Sequence, residues 1–161
     1  MRKLLLNQHN RTKEFRQLSL FFALLLLPMG VWGQTEYGLT VGGVEVTSAN
    51  AENIIGDNIQ GTVSFNPSTN TLTLDGATIS GTTISNGCIV SGLSSLNIVL
   101  KGNSTLDCSN DSCTAIRSVA NAALTITKGE DECSLGFYGS RAIRDFKSVT
   151  LSGMVWDRTC A

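Results

Sequence analysis

Ile89, Ile116 and Ile143 are equally spaced along the chain, and the residues around them align as well. Cys88, Ala115 and Ala142 form one column, the isoleucines the next, and Val90, Arg117 and Arg144 the one after. Beyond a short linker come Leu96, Leu124 and Val149, then Asn97, Thr125 and Thr150, then Ile98, Ile126 and Leu151. A third short apolar segment follows at Leu106 and again at Leu135-Gly136-Phe137. Lys101-Gly102 and Lys128-Gly129 recur at the same interval as the isoleucines. A fixed period of about 27 residues marks one folding unit stacked on copies of itself.

Each copy carries three strand-sized pieces joined by turns rich in Gly, Asn, Ser and Asp, which suits one coil of a parallel β-helix. A single coil buries nothing. Stacked coils bury the Ile and Leu columns as a continuous core and leave Thr, Asn and Arg facing out. The expected fold over residues 80–161 is therefore a right-handed parallel β-helix, a solenoid. An antiparallel β-sandwich is the alternative, because short strands at regular spacing fit it too, but a sandwich does not require columns to recur. A fourth coil begins at Ser148, and no polar cap is visible before Ala161. Solenoids need such a cap, so the coils read as truncated, a fragment of a longer protein.

Residues 34–79 read as a β-hairpin lead-in. Leu39-Thr40-Val41 and Val44-Glu45-Val46 alternate apolar and polar across Gly42-Gly43, a two-residue hairpin pattern. Val63-Ser64-Phe65 and Leu72-Thr73-Leu74 do the same across Asn66 to Asn70, where Pro67 presets a type I turn. Between the hairpins, Ser48 to Asn58 is expected to hold one irregular helical turn.

Residues 1–33 have the pattern of a secretory signal peptide. Five basic residues and Glu14 precede the apolar run Leu18 to Leu27, and Val31-Trp32-Gly33 offers a cleavage site before Gln34. The apolar run is short of the roughly 20 residues a spanning helix needs, so an uncleaved membrane anchor is the weaker reading. Export to the periplasm, the cell surface or beyond is expected, with no membrane attachment after cleavage. Past Gly33 the chain has seven basic and twelve acidic residues. That balance argues against nucleic acid, whose phosphates need clustered Lys and Arg. The one histidine, His9, lies in the leader. Without it, the exported chain has no His base, Ser-His-Asp triad or His-ligated zinc.

All five cysteines, Cys88, Cys108, Cys113, Cys133 and Cys160, follow the leader, and export makes disulfides possible. Their connectivity stays open in the sequence. Cys108 and Cys113 bracket the polar loop Ser109 to Ser112, so a local bridge there is the first choice. Buried free thiols are the competing reading, since Cys88 shares a column with two alanines and a thiol is a small apolar filler.

The segments Tyr37 to Asn50 and Gly61 to Leu74 resemble the lead-in of secreted bacterial proteins of uncharacterised function, in which similar hairpins precede β-helical coils. The coils themselves resemble β-helical carbohydrate-binding domains. The resemblance implies a secreted β-solenoid and suggests polysaccharide as its partner; some such domains use calcium.

Glu130, Asp131 and Glu132 sit on a turn that is longer than its counterpart in the preceding copy. Clustered carboxylates could supply the oxygens that Ca²⁺ requires, and a solvated acidic turn accounts for them equally. No other cofactor is suggested. Arg117 and Arg144 share a column that adjacent coils would bring to about 4.8 Å, with Arg141 beside them. Two guanidinium groups could clamp a uronate carboxylate, or Asp145 could simply pair with them. Tyr138 and Trp156 could stack on sugar rings, but no row of aromatics accompanies them. Three functions follow: a secreted non-catalytic module that binds polysaccharide, a polysaccharide lyase or hydrolase on the same fold, and a structural stalk or passenger. Fold by itself does not choose among them.

Overall fold

The computed structural model describes residues 33–81, 87–109, 113–130 and 132–153. The chain divides into two units, Met1–Gly33 and Gln34–Ala161, and the described elements belong to the second. The leader, with its apolar run, lies outside the described residues, as do Asp131, Trp156, Cys160 and the loop 110–112.

Twelve strands make up the described fold, which is all-β: β1 (Glu36–Val41), β2 (Val44–Thr47), β3 (Ile59–Asn66), β4 (Thr71–Ser80), β5 (Gly87–Ser91), β6 (Ser95–Lys101), β7 (Ser104–Cys108), β8 (Thr114–Ser118), β9 (Ala123–Lys128), β10 (Leu135–Gly139), β11 (Ile143–Arg144) and β12 (Ser148–Ser152). They form two sheets. The first has the order β11-β8-β5-β1-β2; the second runs β10-β7-β4-β6-β9-β12, with β3 beside β4.

The aligned columns are strand partners. Ile89 pairs with Ile116 and Ile116 with Ile143, all in parallel strands. Val90, Arg117 and Arg144 are likewise in register. In the second sheet, Leu96, Leu124 and Val149 form one row, and Ile98, Ile126 and Leu151 another. Leu106 pairs with Phe137. Parallel pairing requires a crossover between partners, and here the other strands of each copy supply it. Antiparallel pairing among the described strands is confined to the lead-in, at β1–β2 and β3–β4, and to its junction with the first repeat, at β1–β5. The described residues therefore do not form the antiparallel sandwich. It builds a curled, largely parallel sheet with an antiparallel start.

The curl comes from β4. Its first half, Thr71–Asp75, pairs with β6, and its second half, Thr78–Ser80, pairs with β7. Gly76 separates the halves at φ 56°, and Gly102 marks the corresponding corner between β6 and β7 at φ 71°. L side chains avoid that region, which makes glycine the ordinary choice. Inside the curl lie Leu72, Leu74, Ile79, Ile89, Leu96, Ile98, Leu100, Leu106, Ile116, Leu124 and Ile126, each at most 1% exposed. Buried apolar area of this kind stabilises by about 25 cal/mol per Å², which no isolated copy could collect. The same rows open toward β12 at the sheet edge: Leu96 is 0% exposed, Leu124 1% and Val149 43%.

Both hairpins form. Val41 pairs with Val44 across Gly42 and Gly43, whose φ values of 55° and 85° suit the primed turns that hairpins prefer. Between the hairpins there is a run of turns rather than a helix. The expected turn reduces to one bond of α-helical span, Ala51 N–H to Thr47 carbonyl at 3.0 Å, with tighter bonds from Asn50 N–H to Thr47 carbonyl at 3.2 Å and from Asn53 N–H to Asn50 carbonyl at 3.1 Å. Asn50 accounts for this: its side chain accepts from Thr47 N–H and donates to Glu45 carbonyl, offering the backbone partners outside a helix.

One alignment is shifted. Lys128 pairs with Leu100, not Lys101. The linker after β8, residues 119–122, is one position longer than the linker after β5, residues 92–94, and that insertion moves the lysine by one step.

Candidate functional site

The second sheet is the larger of the two among the described residues, and its outward face is regular. Leu72, Ile98 and Ile126 point inward, so their neighbours on either side point out. Two rows result, crossing five strands. Asn66, Thr71, Asn97, Thr125 and Thr150 form the first; Ser64, Thr73, Val99, Thr127 and Ser152 form the second. Nine of these ten carry a hydroxyl or amide, none is charged, and all are at least partly exposed. Strand spacing sets neighbours within a row about 4.8 Å apart and the two rows roughly 6.6 Å apart. Asn97 is fixed on the face itself: its side chain donates to Thr69 carbonyl at 2.9 Å, and its own N–H donates to Asn70 carbonyl at 2.9 Å. Such a face offers repeated donors and acceptors without the desolvation cost of charge. The repeat columns place Thr125 and Thr150 outward but do not reveal the face as a whole. The alternation around Thr71-Leu72-Thr73 and Thr125-Ile126-Thr127 is the signal that could have done so.

The arginine column sits on the other sheet. Arg117 Nε lies 3.4 Å from one oxygen of Asp145, and Arg144 Nε lies 3.3 Å from the other. Asp145 adopts φ 62°, a left-handed conformation that Asp tolerates better than most residues. That turn aims the carboxylate between two arginines from adjacent strands. The arginines are 31% and 50% exposed, so water screens both pairs. They are therefore not an empty clamp: a carboxylate of the chain already occupies it. Arg141 is exposed nearby, and its backbone carbonyl accepts Ala115 N–H at 2.9 Å. Tyr138 is 63% exposed.

On the acidic turn, Glu130 and Glu132 are exposed. Glu130 carbonyl accepts from the buried Cys133 thiol at 3.0 Å.

A disulfide joins Cys108, at the end of β7, to Cys113, at the entrance of β8. Their Cα atoms are 5.3 Å apart, within the range such bonds need. The Cys88 thiol, on β5, lies beside this bond: the three sulphurs are within 4.8 Å of one another, and all three residues are buried. Cys88 donates to Asp107 carbonyl at 3.3 Å. Burial first, and then the negative charge of Asp107, push this thiol up to about 12. At neutral pH it is protonated and a poor nucleophile. Local bridge and free thiol thus both occur, side by side. Sequence spacing could not bring Cys88 to the pair, because the contact depends on how β5, β7 and β8 meet at one corner.

Buried serines close the turns at the corners of the first sheet. Ser118 accepts from the N–H groups of Ala120 and Ala122 at 3.2 and 3.1 Å, and its register partner Ser91 accepts from Leu93 N–H at 3.2 Å.

Comparison of the chain with protein-family models, with curated proteins and with solved structures gives no match.

Proposed function

We propose that this chain is an exported, non-catalytic β-solenoid module that binds polysaccharide along the outer face of its second sheet. The observation that carries this reading is the pair of uncharged hydroxyl and amide rows across five strands. A polymer of repeating hydroxyl groups needs a surface with repeated donors and acceptors, and its binding need not displace any ion pair. The parallel register of the repeated columns supports the solenoid, and the leader pattern supports export. The lyase or hydrolase reading requires two carboxylates, or a base beside a metal, converging on one face. The carboxylate that meets the arginines, Asp145, has both oxygens engaged by them.

The test is retention on a panel of insoluble neutral and soluble acidic polysaccharides, with and without chelator. The proposal expects retention on neutral polymers, indifference to chelator and no released product. The double variant Thr73→Glu/Thr127→Glu, which adds charge to the second row, should weaken retention at least tenfold. Release of unsaturated sugars would convert the reading to a lyase. Retention only on acidic polymers, lost in Arg117→Ala, would move the site to the arginine column. No retention at all would leave a structural stalk.

A further inference from the structure

We propose that Cys88, Cys108 and Cys113, once the Cys108–Cys113 bond is reduced, form a three-thiolate site for a soft d¹⁰ cation, copper(I) foremost. The three sulphurs come from separate elements and still converge within 4.8 Å. A cation bonded at about 2.3 Å to three coplanar sulphurs holds them about 4 Å apart. Opening the disulfide frees two of them to reach that spacing from Cα atoms that stay 5.3 Å apart.

The surroundings are built for sulphur. Gly81 lies directly against the cluster. A Cβ there would press on Cys113 Sγ, 2.8 Å from Cys108 Sγ and 3.4 Å from Cys88 Sγ. The Asp107 carbonyl fixes the same corner, accepting from Gly81 N–H at 2.7 Å and from the Cys88 thiol at 3.3 Å. All three cysteines are at most 2% exposed, so water is excluded. Packing does not demand a thiol at Cys88, since alanine stands at Ala115, beside it in the ladder. Thiolates select soft ions. Structural zinc sites are closed by a fourth protein ligand, whereas the group found among the described residues has three donors, a set that suits three-coordinate copper(I).

Two steps are needed. A dithiol reductant delivers two electrons and two protons to the Cys108–Cys113 bond, which breaks to two thiols while the reductant closes to a cyclic disulfide. The cation then forms three metal–sulphur bonds as three thiol protons leave to solvent. In the oxidised chain Cys88 alone among the described residues retains a thiol at this corner, so the site is open or closed according to redox state.

The experiment titrates copper(I), under anaerobic conditions, into the full chain against a chromogenic copper(I) chelator. One sample is reduced with a dithiol and freed of it; the other is oxidised. The reduced chain should take one equivalent at this site and the oxidised chain none. Cys88→Ala should fold, as alanine does at the neighbouring position, and should lower affinity at least a hundredfold. Cys133→Ala and Cys160→Ala should bind like the parent. Equal binding by the oxidised chain, undiminished binding by Cys88→Ala, or equal weakening in all three variants would overturn the proposal; the last would mean scattered thiols of an unfolded chain.

Discussion

At the level of single residues, two buried serines are placed where the backbone turns. Ser91 and Ser118 are 0% and 1% exposed, yet each closes a corner by accepting from a turn N–H. They are register partners one repeat apart, so the column is legible in principle; a serine nonetheless reads as surface until its partners are known. Cys88 illustrates the opposite limit. Its place in a column of small residues is readable, but its sulphur neighbours are not. Its buried thiol has a testable linkage. An ordinary thiol titrates near 9 and this one near 12. Above pH 9 the unfolded chain releases the proton first, so the folded state binds more protons and loses stability as pH rises toward 12. Denaturant unfolding across that range should show the decline in the parent and a flatter curve in Cys88→Ala. Equal slopes would mean that Cys88 titrates normally in the fold.

Among the elements, β4 serves as two strands. It pairs with both β6 and β7 because it bends at Gly76, and β3 follows the bend with a register shift between Gln60 and Thr62. Gly61 lies in that shift at φ 81°, and a Cβ there would meet the backbone carbonyl of Gly76 and come within 2.9 Å of Ala77 Cα. Gly76 also has positive φ but open space around it. Gly76→Ala should therefore cost about 1–2 kcal/mol for conformation alone. Gly61→Ala adds a backbone clash and should cost at least about 2 kcal/mol more, on the scale of an overpacked core site. Comparing the two by chemical denaturation checks the bend; equal losses would place the constraint elsewhere. In the sequence β4 shows only as one arm of a hairpin, because nothing in Thr71 to Leu74 says that the strand continues past a glycine.

Across the whole molecule, the constant period conceals variable linkers. Leu96 and Leu106 divide the interval from Ile89 to Ile116, and Leu124 and Phe137 divide the interval from Ile116 to Ile143. The first two steps are longer in the second copy and the last is shorter, and the differences cancel. The isoleucine column is therefore easy to read, while Lys101 and Lys128 recur at the same interval yet fall out of register. Inward columns are legible because burial permits few residue types. The outer rows are harder to see, since Thr, Ser and Asn are as common in loops as on a sheet face. The polar outer face proposed to bind polysaccharide, the arginine pair around Asp145 and the sulphur corner all depend on one condition, that the three stretches stack in parallel register. Methyl-resolved nuclear Overhauser measurements on isoleucine-labelled protein probe that stacking without an intermediary. Parallel register requires contacts from Ile116 to both Ile89 and Ile143, and none between Ile89 and Ile143, which lie two strand spacings, about 9.6 Å, apart. A direct Ile89–Ile143 contact, or no contact from Ile116 to either, would rule the stacking out.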